Sequence, residues 1–411
     1  MKQIIRHFFV ISAVVVQTLL FPGVSHARCD AESSQQRDLL LDRMDSVEIS
    51  LLTAGPGNEV WSLYGHTAIR YNDKANDEDL AINYGMFSFE KSFFIARFVL
   101  GLTDYEMGIT SMDHFINSYG REGRWVVQQD LNLTREEKLE LTLAINENNL
   151  PENRVYRYNY FYNNCTTKAR DMVINHLNIS RYTSDNQWNK NSYRNMVHQW
   201  TSNYRWTRFG NDLLLGVGSD LKTEKKASFF LPDSVRKDFD NIILINPDGS
   251  KRKLVEKKSW LIKPTKAIDL STPALITPTI VFGVLFCIIF LLSIIQWIYH
   301  KNMWLLDATL LTTTGLAGMI LFIMIFSQHP TVRFNLQILL LNPISLFLVY
   351  PVVKNERRGV GHWYWKVIAI CMLMFFIGGF FQTYAEGMLL LALTMLIRIL
   401  TQTSQRRCKH I

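Results

Sequence analysis

The sequence predicts an α+β exported domain followed by an all-α membrane domain of about five transmembrane helices. Three observations carry that reading. The chain starts with a basic, then apolar, then small-residue stretch. Up to Pro264 it mixes polar and apolar positions as a water-soluble protein does. From Pro273 onward it is mostly apolar, in blocks separated by short basic or aromatic loops. Its 411 residues are enough for two domains.

Lys2, Arg6 and His7, the run Phe8–Phe21 and the small residues Ser25 and Ala27 read as a secretory signal over 1–27. The run is short for a span, which favours cleavage over retention as an anchor. Arg28 stands where a lipid-attachment box before Cys29 needs a small residue. The expected division is 28–264 for a periplasmic domain, 265–273 for a linker, 274–400 for the membrane helices and 401–411 for a cytoplasmic tail. Of the five cysteines, only Cys29 and Cys165 fall in the exported part. A disulfide between them is the alternative to a free thiol.

In the exported part, Val47–Thr53 alternates as a strand and ends in the turn cluster Ala54-Gly55-Pro56-Gly57-Asn58. His66–Tyr71 and Leu80–Phe87 read as strands joined through Asn72–Asp79. Lys91–Leu100 is aromatic-rich and helical. Arg124–Leu131 is a strand, and Thr134 with Glu137 forms a capping box for a helix reaching about Asn148. Val155–Tyr162 is a tyrosine-rich extended run, and Cys165 opens a helix to about Leu177. A hairpin follows over Asn241–Ile245 and Lys253–Glu256.

The apolar segments are Ala274–Tyr299, Trp304–Phe326, Leu336–Val353, Val367–Phe381 and Gly387–Leu400, with Trp297, Tyr299, Trp304, Trp363, Tyr364, Trp365 and Tyr384 at their ends. The last three are short for spanning and depend on flanking residues. One set of loops holds Lys301, Lys354, Arg357, Arg358, Lys366, Arg406, Arg407 and Lys409, and the opposite set holds Arg333. The positive-inside rule therefore places the N-terminal domain outside, as the signal does. This also gives much of the +8 charge a use other than nucleic acid. Asp307 and Glu386 sit near span ends, where solvation at headgroup level is expected. The basic and aromatic stretch Tyr193–Arg208 is expected to face lipid headgroups.

Cys165 is the candidate nucleophile. Asn163-Asn164 before it and Thr166-Thr167 after it place the thiol on the first turn of a helix. There the dipole favours thiolate, and the first-turn N–H groups suit an oxyanion. His66, after Gly65 at a strand start, is the candidate base; His114, His176 and His198 lack that glycine-built context. Asn83 on the next strand is the candidate orienting group, with Tyr64, Tyr84 and Arg70 as rivals. Asp171 is expected to pair locally with Arg170. Neither metal-ligand spacing nor a cofactor motif is present in the exported part.

The motifs Gly55-Pro56-Gly57, Gly65-His66-Thr67-Ala68-Ile69-Arg70, Asn83-Tyr84-Gly85, Gln129-Asp130-Leu131-Asn132-Leu133 and Tyr162-Asn163-Asn164-Cys165-Thr166-Thr167-Lys168-Ala169-Arg170-Asp171 occur in one order. Together they resemble the Lnb-type lipoprotein N-acyltransferase family of Bacteroidetes, over most of Val47–Ile179, and Ser327–Pro351 resembles the family's membrane part. Lys168 departs from the arginine expected there. The His-before-Cys order also resembles lecithin:retinol acyltransferases and their phospholipase relatives, which are circularly permuted, NlpC-type papain-like folds. The resemblance implies a Cys165 nucleophile with a His66 base, a phospholipid acyl donor and a diacylated lipoprotein acceptor. Tyr64, Arg70, His329 and Arg333 are candidate substrate-binding residues, the last two from the outward loop. A Cys–His hydrolase of phospholipids or peptidoglycan peptides, and a non-enzymatic envelope assembly protein, are the alternatives; fold analogy alone does not choose among them.

Overall fold

The computed structural model describes residues 36–87, 92–184, 190–264 and 275–404. The expected signal sequence, the linker, most of the tail, Cys29 and Cys408 lie outside them. Seven strands build an antiparallel sheet: β1 (Val47–Ala54), β2 (His66–Asp73), β3 (Glu78–Met86), β4 (Asp104–Ser111), β5 (Val126–Leu131), β6 (Val155–Arg157) and β10 (Val255–Ile262), in the order β10-β5-β1-β2-β3-β4-β6. A smaller sheet joins β7 (Arg181–Ser184), β8 (Ile242–Ile245) and β9 (Lys251–Lys253). β1 lies inside the sheet, between β5 and β2, and all its residues but Glu48 are buried.

The helices that accompany the sheets include α1 (Phe94–Val99), α2 (Met112–Arg121), α3 (Arg135–Asn148), α4 (Cys165–Ile174), α5 (Tyr193–Thr201), α6 (Arg205–Leu214) and α7 (Pro232–Phe239). Strand periodicity sorts the large sheet into two faces. Ile49, Leu51, Ile69 and Ile82 pack with Ala169 and Val173 of α4 and with Val235 and Phe239 of α7. Leu52, Ala54, Ala68 and Ala81 pack with Met112 and Phe115 of α2. The capping box at Thr134 and Glu137 starts α3 as expected.

Two stretches differ from the sequence reading. The extended run after Val155 ends at Arg157, because the Asn159 side-chain Oδ1 accepts from the N–H groups of Phe161 (3.1 Å) and Tyr162 (3.2 Å) and turns the chain. The late hairpin ends at Lys253. Leu254 is fully buried at the bend, and the chain then crosses to pair with β5 as an edge strand of the large sheet.

Beyond residue 275 lie five apolar helices: α8 (Pro278–Tyr299), α9 (Trp304–Met324), α10 (Ile344–Arg357), α11 (Tyr364–Gly378) and α12 (Met388–Ser404). Among the described residues, three stretches are long and apolar enough to cross a membrane: Pro278–Tyr299, Trp304–Met324 and Leu336–Arg357, the last joining a short 3-10 turn to α10. The third is therefore longer than expected; α11 and α12 remain shorter apolar helices. Gly318 lets α9 lie directly on the next segment, since a Cβ there would come 2.1 Å from the Leu341 carbonyl oxygen.

The charges expected at headgroup level have protein partners instead. Asp307 is fully buried and accepts two hydrogen bonds from Arg398 (2.7 and 2.6 Å), a residue of α12 inside the last apolar segment. Arg398 also donates to Ser293 and Gln296, both at 2.9 Å, and Gln402 donates to Asp307 (2.7 Å). An ion in hydrocarbon needs such a shell, so the cluster fastens α8, α9 and α12 together. Glu386 accepts from Arg205 (2.8 Å) and from Thr279 (2.6 Å), tying α6 to the start of α8 and α12. The rest of the basic stretch also turns inward: Arg194 is fully buried against Asp212 (2.8 Å) and Asp220 (2.9 Å), and Arg208 bonds His198 (2.9 Å).

The two halves are sewn together at the end of α6. Its terminal carbonyls, left without helical partners, accept from amide side chains of the membrane half: Gln337 to Asp212 (2.9 Å), Asn335 to Leu213 (2.8 Å) and Gln382 to Leu215 (3.1 Å). Asp307→Ala is expected to cost about 3–5 kcal/mol, because it strands a buried guanidinium. Asp307→Leu combined with Arg398→Met is expected to recover most of that loss. Denaturant titration of the full chain in detergent checks both; a single variant as stable as the wild type contradicts the role given to the pair.

Candidate active site

Cys165 is the first residue of α4, held there by its N-cap. The Asn164 Oδ1 accepts from the N–H groups of Thr166 (3.0 Å) and Thr167 (2.9 Å), while its Nδ2 donates to the carbonyls of Tyr160 (3.1 Å) and Phe230 (2.8 Å). The cap uses two of the N–H groups expected to face an oxyanion, which leaves the N–H of Cys165 itself as that turn's donor. Gly85 opens the space for the thiol to approach the sheet. It adopts φ +85, and a Cβ there would lie 3.3 Å from the Cys165 Cβ. The β3–β4 ladder also shifts register just after Asn83.

His66 begins β2 directly after Gly65, which adopts φ +89; a Cβ at Gly65 would meet the Ala54 carbonyl oxygen at 2.7 Å. Asn83 pairs with Ala68 across the β2–β3 ladder and so shares a face with His66. His66 Nε2 lies 3.1 Å from Asn83 Oδ1. Asn83 Nδ2 donates to the Ala81 carbonyl (3.1 Å) and to Thr110 Oγ1 (3.3 Å). A carbonyl only accepts, so the amide is fixed with its oxygen toward the imidazole. Nε2 therefore carries the shared proton, and in the neutral ring Nδ1 carries the lone pair. His66 favours the thiolate of Cys165 by charge and by hydrogen bonding, and with Nε2 engaged by Asn83, Nδ1 is the nitrogen left to act on sulfur. The Tyr119 ring lies nearly parallel to the imidazole, with centroids 6.3 Å apart.

Burial alone would push the Cys165 thiol up. His66, by charge and by hydrogen bond, outweighs this together with the Thr166 hydroxyl and the Thr67 backbone, and the thiol lies below its ordinary value of 9.0. Thr67 Oγ1 in turn donates to Thr166 Oγ1 (3.2 Å), so β2 contributes both the imidazole and a contact that seats the helix start. Among the described residues Cys165 has no disulfide partner; Cys29 lies outside them.

The thiol and the imidazole line a cavity of about 890 Å³. Its walls are largely aromatic, with Phe94, Phe98, Tyr105, Tyr158 and Phe161, and Met324, His329 and Val332 close it from the membrane half. Tyr64 lines it and its hydroxyl accepts from Asn211 (3.1 Å); burial raises that phenol, which stays protonated. His329 lines it too, 2% exposed, with Nε2 on the Phe98 carbonyl (3.0 Å) and Nδ1 without a hydrogen-bond partner among the described residues. Burial lowers its pKa against the raising effect of the Phe98 contact.

Arg70 and Arg333 lie off the cavity. Arg70 is clamped by Asp79 (2.7 and 2.6 Å) and Gln128 (2.7 Å), and Arg333 is exposed with Nε on the Ser327 carbonyl (2.7 Å). Tyr84 donates to Asn148 (2.8 Å), and Asp171 pairs with Arg170. The other exported histidines lie elsewhere: His114 on the exposed side of α2, His176 on the Met172 carbonyl (2.7 Å), and His198 between Asp212 and Arg208. The sequence reading did not single out Asn164 as the cap, Gly85 as the clearance or Tyr119 beside the imidazole. The Asn-Cys and Asn-x-Gly patterns were the available signals for the first two.

Fold and site together define a mixed α/β domain with a Cys–His–Asn constellation at one end of its sheet, seated on a bundle of apolar helices. Residues 41–199 match the Lnb N-terminal periplasmic domain, and residues 270–409 match the Lnb transmembrane domain. The chain belongs to the Lnb family and is an inner-membrane protein with a periplasmic N-terminal domain. No curated protein and no solved structure matches it.

Alkylation of Cys165 by iodoacetamide, followed by peptide mass spectrometry against pH, is expected to inflect below 9.0. Because the imidazole favours thiolate, His66→Ala is expected to move that inflection upward. An inflection that His66→Ala leaves in place contradicts the thiol–imidazole pairing.

Proposed function

We propose that the protein is a lipoprotein N-acyltransferase that carries an acyl chain from a phospholipid, through a thioester on Cys165, to the α-amine of a lipoprotein's diacylglyceryl cysteine. The observation that carries this reading is the cavity: a thiol–imidazole–amide chain opens into an aromatic chamber that the membrane half helps to enclose. Its volume is within the range of ligand pockets, about 300–1,000 Å³. Each acyl methylene buried there contributes roughly 0.8 kcal/mol. A peptidoglycan peptide has no comparable use for such walls.

In the first step Nδ1 of His66 takes the thiol proton, and the thiolate attacks an ester carbonyl of the phospholipid. The Cys165 N–H faces the oxyanion. Collapse breaks the ester C–O bond, the imidazolium protonates the departing alkoxide, and lysophospholipid leaves. In the second step the α-amine attacks the thioester, His66 accepts its proton, and the thiolate departs, leaving an amide. Asn83 holds the imidazole in the tautomer that both steps need. Tyr64 and His329 offer the cavity's polar contacts to substrate. Both substrates are lipids of the same leaflet, so the tether supplies proximity.

The His-before-Cys order, with the thiol on a helix packed against the strands that carry histidine and asparagine, supports a permuted papain-like fold for residues 28–264. A signal at 1–27, a linker at 265–273, five spans within 274–400 and a cytoplasmic tail at 401–411 complete the proposed organisation.

With phospholipid vesicles alone, turnover is expected to be slow. Adding a diacylated lipopeptide with a free α-amine is expected to accelerate lysophospholipid release and to add one acyl chain in amide linkage. His66→Ala is expected to lower the rate about 100-fold or more. Lysophospholipid and free fatty acid appearing together at full rate, whether or not an amine is present, would make water the acceptor and the protein a phospholipase.

A further inference from the structure

The short helix α1 is built inside out for a water-exposed element. Phe94 and Phe98, four residues apart, line the cavity. Phe93, just before the helix, and Ile95 are 83% and 74% exposed. Ile95 also lines the cavity, so the chamber opens beside it. Phe93 holds φ +56, a left-handed conformation uncommon for a bulky residue, and the chain keeps an aromatic side chain there regardless.

The position of α1 explains that composition. Three carbonyls at its C-terminal end accept from the loop that follows α9: Phe98 from His329 Nε2 (3.0 Å), Val99 from Ser327 Oγ (2.9 Å) and the C-cap Leu100 from the Gln328 N–H (2.9 Å). Gly101 presses on the same loop, since a Cβ there would meet Gln328 Cβ at 3.0 Å. α9 ends at Met324, and Phe326 and Phe334 beside this loop are 72% and 68% exposed. With the N-terminal domain in the periplasm, this loop marks the periplasmic face of the bilayer. The C-terminal end of α1 is thus fastened to the loop at the periplasmic end of α9.

We propose that α1 lies in the outer leaflet, with Phe93 and Ile95 among acyl chains, and that the gap beside Ile95 is the side entrance through which a phospholipid chain reaches Cys165. This deepens the acyltransferase reading by naming the path of its donor. A chain that enters sideways keeps its methylenes out of water throughout, whereas entry from the periplasm would expose them.

Two measurements on the full chain in vesicles of phosphatidylethanolamine and phosphatidylglycerol test it. With p-benzoylphenylalanine in place of Phe93, irradiation is expected to give phospholipid adducts on the acyl chain. The same group in place of Trp260, exposed on the opposite edge strand, is expected to give none. Adducts absent at 93, or equal at both positions, overturn the proposal. Aspartate tolerates a left-handed backbone, so Phe93→Asp keeps the local fold. It is expected to slow Cys165 acylation from vesicles about tenfold while leaving acylation by a short-chain soluble ester unchanged. An equal effect on both donors, or none, overturns the entrance. Adducts from the photo-reactive group at 93, together with a wild-type chain that never forms a thioester, support the entrance and overturn the acyltransferase reading instead.

Discussion

The 3.1 Å hydrogen bond between His66 and Asn83 decides which imidazole nitrogen can act. Were the amide free to rotate, either tautomer would serve and neither would be held. The Ala81 carbonyl forbids rotation, and the β2–β3 register puts both side chains on one face. That register is fixed at the far end of the hairpin, where the buried Asp73 accepts from Ser46 (2.8 Å), Asn76 (2.7 Å) and Arg43 (2.9 Å). A one-residue slip would turn His66 to the other face. The chemistry at one end of the hairpin thus depends on the turn at the other.

The thiol reaches that imidazole from the opposite layer. α4 packs on the Ile69 and Ile82 face, whereas His66 belongs to the face covered by α2. They meet only because the sheet ends there: Gly65 lets β2 start tightly, and Gly85 with the adjoining register shift clears a place for the first turn of α4. The membrane half then closes the chamber, and it is fastened by hydrogen bonds to carbonyls at the ends of α1 and α6. Those carbonyls need partners wherever they are buried, so the interface satisfies the backbone while it builds the site.

Much of this was legible in the sequence. Gly65-His66 and Asn164-Cys165 state a strand start and a helix start directly, and the loop charges state the orientation. Three things were not legible. Arg398 and Asp307 are far apart in sequence, and their pairing depends on how α9 and α12 pack. The inward turn of Arg194, Arg205 and Arg208 depends on Asp212, Asp220 and Glu386, which no local pattern connects to them. The strand at 255–262 reads as half of a local hairpin, and only the burial of Leu254 sends it across to β5. Each is a long-range choice among partners, whereas caps, turns and periodicities are local.

The central claim is that Cys165 carries the acyl chain. The most direct measurement is the intact mass of the full chain after brief exposure to phospholipid vesicles without a lipopeptide acceptor. The expected result is the addition of one acyl chain that maps to Cys165 and is removed by neutral hydroxylamine. It should be absent in Cys165→Ala and much reduced in Asn83→Ala, where the imidazole loses its fixed tautomer. An active wild-type chain that remains at its unmodified mass, or one acylated equally in Cys165→Ala, would contradict the account.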